Sequence, residues 1–163
     1  MTTAAASVRP AGADRLNCAD PDQTSSTDPT FTTQHPDDRV VLGRIWLPRV
    51  SDNLGWPRRP NASGTERFLK RGIIVSVGPP VTPKIPPSAD STYGFVFDST
   101  HAASTVAASR TTLVIQPCPL NESLSHATAW PGGYLVTRPA CVPLIVAADG
   151  RFTRISLALG RRC

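Results

Sequence analysis

Apolar and polar residues alternate with a period of two along RFTRISLALG (151–160). Thr153, Ile155, Leu157 and Leu159 fall on one side, and Phe152, Arg154, Ser156 and Ala158 on the other. Successive side chains of an extended chain point to opposite faces, so this spacing predicts a half-buried β-strand. The period recurs in GIIVSVG (72–78), where Ile73, Val75 and Val77 oppose Ile74 and Ser76, and in STYGFVFD (91–98), where Tyr93, Phe95 and Phe97 share a face. β-Branched runs predict further strands at RVVLGRIWLP (39–48), RFLK (67–70), TTLVIQP (111–117), GYLVTRP (133–139) and CVPLIVAA (141–148). Asp149-Gly150 precedes the last strand and is a hairpin signal, because tight hairpin turns need positive φ. Proline confines PPVTPKIPP (79–87) to an edge strand or an extended coil. Residues 99–110 read as a loop with a helical turn. The segments 49–66 and 119–133 read as long loops, with Gly132 and Gly133 as turn residues.

Seven or eight short strands, unequal loops and no sustained 3.6-residue period predict an all-β fold, specifically an antiparallel β-sandwich of immunoglobulin-like type. Composition agrees: 17 prolines and 11 glycines in 163 residues disfavour helix interiors. The β-domain is expected over 39–163. Residues 1–38 hold six of the 12 acids, with much Thr, Ser and Pro and no periodicity, and read as an irregular tail.

The four cysteines, Cys18, Cys118, Cys141 and Cys163, show no zinc-type pair spacing. An even, widely separated set predicts two disulfides and an oxidising compartment; four free thiols in the cytosol are the alternative. Three connectivities are open. The expectation is Cys118–Cys141, because prolines flank both at strand ends, and Cys18–Cys163, tying the tail to the last strand. Pro139 and Pro143 remove two backbone donors around Cys141, so the chain there should run at an edge or change sheets. The first residues contain no apolar core for a secretory signal, and an export segment is expected upstream; no stretch is apolar enough for a membrane span.

Net charge is +5, but the bases are scattered in ones and twos without a recognition-helix or stacking pattern, so no nucleic-acid partner is expected. His35, His101 and His126 are not spaced to share a metal, and no cofactor or metal site is expected. No G-x-S-x-G elbow exists, and a cysteine nucleophile beside His126 fails once the cysteines are bridged. Trp56, Arg58 and Arg59 in the first long loop, and Trp130 and Tyr134 around the second, are the candidate ligand contacts. For Trp130 and Tyr134, core packing competes with an exposed aromatic platform.

Taken as an assembly, IQPCP (115–119), WPGGYLVTRPACVPL (130–144) and Cys163 after a final strand resemble a group of uncharacterised actinobacterial exported proteins. VVLGRIWLP and KRGIIVSVG are similar to their early strands. The resemblance covers roughly residues 38–163. It implies a secreted or surface-exposed β-domain, extracellular or at the cell surface with a cytoplasmic location as the alternative, and it brings no catalytic residue. The function expected is a non-catalytic extracytoplasmic binding or interaction domain, with a protein or polysaccharide partner at the cell surface. A small secreted hydrolase-like enzyme using loop His and Ser residues is the alternative.

Overall fold

The structure, a computed structural model, describes residues 12–19, 23–26, 38–48, 66–97, 105–118 and 127–163. Thirteen strands run through them: β1 (Ala13–Leu16), β2 (Thr24–Ser26), β3 (Arg39–Val41), β4 (Ile45–Leu47), β5 (Arg67–Lys70), β6 (Ile73–Ser76), β7 (Thr82–Lys84), β8 (Tyr93–Val96), β9 (Thr112–Ile115), β10 (Ala127–Trp130), β11 (Gly133–Val136), β12 (Ala140–Ala148) and β13 (Arg151–Leu159). Among the described residues the one helical element is the 3-10 turn Pro87–Ala89. The fold is all-β and sandwich-like. The described residues form three sheets: sheet I is β1-β9-β7-β12-β13, sheet II is β2-β10-β6-β4-β3, and sheet III is β5-β11-β8. Every pairing is antiparallel except β1–β9, which is parallel.

Sheets II and III share a folded ladder. β11 pairs with β5 such that Lys70 faces Gly133, and β10 pairs with β6 such that Ile73 faces Trp130, so the register carries across without a slip. At the crease the Arg71 amide donates to the Gly132 carbonyl at 2.9 Å. The crease requires missing side chains: a Cβ on Gly72 would lie 2.9 Å from the Trp130 carbonyl oxygen, and one on Gly133 would overlap the Leu69 carbonyl. Gly132 and Gly133 are therefore not the turn residues expected but the corner of a bent strand, where only glycine lets two backbones approach.

Other expectations are revised in the same way. The stretch 39–48 is two strands, because the chain reverses at Leu42 and Gly43, whose φ values of 54° and 68° are left-handed. Ala127–Trp130, read as loop, is a strand between β2 and β6. The tail reading of residues 1–38 misses β1 and β2, which join sheets I and II. Leu16 on β1 is buried in the common core, and Asp14 accepts a hydrogen bond from Arg110 Nε at 2.7 Å. β7 lies inside sheet I rather than at an edge. The Val81 and Ile115 amides exchange bonds at 2.9 Å and the Ile85 amide donates to Thr111. Pro83, midway between Val81 and Ile85, removes the one intervening rung towards β9, and the sheet tolerates that single gap.

The expectation for Cys141 holds at the backbone. The chain leaves sheet III at Val136 and enters sheet I at Ala140. β7 reaches β12 only at Ile145–Ala147, so Pro143 lies where β12 has one partner strand, and its carbonyl accepts a bond from the Tyr93 hydroxyl at 2.6 Å.

All four cysteines are bridged, but not as expected: the disulfides are Cys18–Cys118 and Cys141–Cys163. Topology explains the correction. β9 and β12 are both antiparallel to β7, so they run in the same direction. Cys118 follows the end of β9 while Cys141 opens β12, which puts them at opposite ends of the sheet. Parallel pairing sets Leu16 beside Ile115, so the chains emerging from β1 and β9 bring Cys18 and Cys118 together, with Cα atoms 5.3 Å apart. At the other end Cys141 faces Ala158, and Gly160 (φ 75°) turns the chain back so that Cys163 comes within 5.6 Å, Cα to Cα.

One apolar cluster joins the sheets. Tyr93, Phe95, Phe97 and Tyr134 pack at centroid distances of 5.6–6.3 Å, mostly edge to face. The predicted shared face of Tyr93, Phe95 and Phe97 is thus buried.

Candidate functional site

Sheet I buries one face and leaves the other outward. The alternating burial of β1, β9, β7 and β12 fixes which residues these are. One row across the outer face is Ala13, Thr112, Lys84, Ile145 and Arg154, each facing the next. A second row is Arg15, Val114, Thr82, Ala147 and Phe152; Thr82 falls opposite Val114 between the Val81–Ile115 and Lys84–Thr112 pairs. Arg15, Lys84, Arg154 and Phe152 are exposed, whereas Thr112, Val114, Thr82, Ile145 and Ala147 are half-buried. Phe152 is 81% exposed, far more than any other large apolar side chain described. A single exposed apolar side chain is ordinary on a surface; Phe152 matters here because of what it borders.

Phe152 borders an open groove of about 620 Å³, whose walls include Pro79, Pro80, Thr82, Ala147 and Asp149. Arg44, which sequence reasoning passed over as one of many scattered bases, holds those walls. Its Nη2 donates to the Pro79 carbonyl at 2.8 Å, its Nε to Ser76 Oγ at 3.0 Å, and its Nη1 to Asp149. The β6–β7 connection and the β12–β13 turn are thereby fastened together. Gly78 leaves room for this: a Cβ there would lie 2.7 Å from the guanidinium. Asp149 and Gly150 form the expected hairpin turn, with φ of 53° and 70°.

The Cys141–Cys163 disulfide belongs to the same face. Cys141 is exposed, on the outward side of β12 with Pro143 and Ile145, and the Arg162 carbonyl lies 3.3 Å from its sulfur. The bridge brings Arg161 and Arg162, both exposed, to this end of the sheet. Of the described acids, Asp14 faces inward to Arg110, Glu66 accepts from the Val106 amide, Asp149 is bound by Arg44, and Asp38 and Asp90 lie outside sheet I. Among the described residues the one carboxylate at this face is that of Asp149, in the groove wall and paired with Arg44.

The candidate ligand contacts read from sequence fare differently. Trp56, Arg58 and Arg59 lie outside the described residues, as do His35, His101 and His126. Trp130 and Tyr134 are not an exposed platform: both are fully buried, Trp130 at the crease and Tyr134 among Phe95 and Phe97. The competing reading, core packing, is the correct one for these two. No thiol remains to act as a nucleophile, because every cysteine is bridged. Within the groove, Asp149 is engaged by Arg44, and no wall residue pairs a nucleophile with a base. No helix among the described residues is long and apolar enough to cross a membrane.

Tyr134 carries a testable consequence. Its hydroxyl has no hydrogen-bond partner among the described residues. Burial, with Tyr93 and Asp38 behind it, raises its pKa well above the ordinary tyrosine value. The unfolded chain ionises this phenol near about pH 10, while the folded chain keeps the proton to higher pH. Stability is untouched below about pH 10 and falls as pH rises beyond it. Tyr134→Phe removes an unsatisfied buried hydroxyl and should raise stability by about 1 kcal/mol at neutral pH, with a shallower alkaline loss. Urea unfolding at several pH values measures both. A loss of stability at neutral pH would show that the hydroxyl has a partner.

No protein-family model, curated protein or solved structure matches this chain.

Proposed function

We propose that this chain is a non-catalytic binding module that works outside the reducing cytosol and contacts its ligand with the outer face of sheet I. The observation that carries the reading is Phe152, exposed at the rim of a groove held by Arg44, on a face where Arg15, Lys84 and Arg154 are exposed and the carboxylate of Asp149 is engaged by Arg44. A contact surface of this kind needs a rigid support, and a five-stranded sheet with one face in the core supplies it. The two disulfides fit an oxidising compartment, in line with the resemblance to exported proteins.

The test is a titration of the labelled protein with one neutral and one acidic extracellular-type polysaccharide, followed by backbone amide shifts. Perturbations confined to β7, β12, β13 and the Pro79–Pro80 wall are expected. Perturbations centred on residues 49–65 would move the contact surface back to the Trp56 loop. Cleavage of either polymer would overturn the non-catalytic reading.

A further inference from the structure

Resting on that reading, we propose that the ligand of sheet I's outer face is an extended acidic polysaccharide laid across the strands, and that the Cys141–Cys163 disulfide completes its site. The cations set the direction. Arg15 is on β1, Lys84 on β7 and Arg154 on β13, so they occupy every second strand of the sheet. Neighbouring strands lie close to 4.8 Å apart, which separates successive cations by about 10 Å across the sheet. An extended acidic polysaccharide carries a carboxylate or sulfate on every sugar or every second one, so that a charge recurs over a comparable length. Lys84 and Arg154 share one row and Arg15 stands in the next, so the three form a staggered track that a chain of opposite charges can follow across the strands.

Between the cations the surface suits sugar rings. Thr112, Thr82 and Ser156 offer hydroxyls that donate and accept, and Phe152 offers an uncovered ring against which the apolar face of a pyranose can lie. Lysine supplies a point charge on a flexible stem, and arginine a planar fork that matches the oxygens of a carboxylate. A broad sheet face does not favour duplex nucleic acid, which takes an element inserted into a groove.

Arg161 and Arg162 add charge at the Cys141 end of the face, beside the row and further along β12 and β13, and their position depends on one covalent bond. Both follow the reversal at Gly160, and Cys163 holds the segment against β12. Opening this bridge leaves the arginines in the chain but releases them from the face. Affinity for the acidic polymer is thus tied to the oxidation state of Cys141 and Cys163.

The experiment measures binding of the intact protein to polygalacturonate, with dextran as the neutral counterpart. Binding to polygalacturonate should weaken steeply as salt rises from about 0.05 M to about 0.5 M, while dextran binds at least tenfold more weakly. Lys84→Gln with Arg154→Gln should lower affinity roughly tenfold. Arg71→Gln, at the crease of the other sheets, should leave it unchanged. Cys141→Ser with Cys163→Ser should lower it several-fold while the near-ultraviolet spectrum of the core tyrosines and Trp130 stays native. Equal affinity for both polymers at this face would overturn the acidic ligand and leave the binding module standing. Equal losses from Arg71→Gln would show unlocalised charge attraction and overturn the site. Binding to neither polymer would overturn the inference, and amide shifts elsewhere on the protein would overturn the face itself. Full affinity in the double serine variant would remove the disulfide from the site.

Discussion

Replacing Cys18 and Cys118 by alanine should lower the unfolding free energy by about 4–5 kcal/mol, the largest loss expected from removing either bridge. The bond spans 100 residues of sequence, and the chain-entropy estimate for so long a loop is about 4.7 kcal/mol. Structure adds to entropy here. Cys118 is buried, and its amide and carbonyl are both engaged by the Thr128 hydroxyl, at 2.9 and 3.2 Å. Ser25 Oγ donates to the same carbonyl and meets the Thr128 hydroxyl at 3.0 Å, so the knot joins β2, β10 and the end of β9. β1, at the edge of sheet I, gains its covalent hold through Cys18. Because the two cysteines share one bond, either single substitution should cost about the same, rather than Cys18 mattering only to a tail. The Cys141–Cys163 bridge spans 22 residues and is exposed, and its removal should cost about 3 kcal/mol or less. Urea unfolding of the two double variants decides the order. A larger loss from the Cys141–Cys163 pair would contradict this account of what holds β1 in place.

Trp130→Ala should cost about 3–5 kcal/mol, the range for removing a fully buried large aromatic. Trp130 has no exposure and stands at the crease, facing Ile73 across the ladder and with its carbonyl close above Gly72. An alanine there leaves a cavity beneath a corner whose glycines forbid collapse by backbone shift. The indole Nε1 has no hydrogen-bond partner among the described residues, so Trp130→Phe sacrifices volume but no polar contact and should cost well under half as much. Unfolding midpoints of the two variants test this. A near-neutral Trp130→Ala would mean that the side chain serves a ligand rather than the core.

The candidate face was not legible in the sequence as a unit. Arg15, Lys84 and Arg154 stand tens of residues apart, and nothing local relates them. They come to one face because β1, β7 and β13 take alternate places in one sheet, with each cation on the outward side of its strand. Arg44 was hidden for a similar reason. A buried arginine is recognisable only by what surrounds it, and Ser76, Pro79 and Asp149 come from two distant turns. Trp130 and Tyr134 could be narrowed to core or platform, but aromatic residues beside a Pro-Gly-Gly segment are compatible with either.

Local stereochemistry determined a definite part of this protein. Alternation over 151–159 and the β-branched runs made the class all-β, because a period of two buries one face only in an extended chain. Asp149-Gly150 made the hairpin, since those two residues tolerate positive φ. The prolines around Cys141 placed the change of sheets, because a missing donor is harmless only where a partner strand is absent. Tertiary structure decided the rest. β1 has four residues and no periodic signature, and it is a strand because β9 offers a parallel partner some hundred residues away. The cysteine partners were decided by strand direction, since bridging needs Cα atoms within about 7 Å. Matched prolines mark strand ends, but strand direction decides which ends meet.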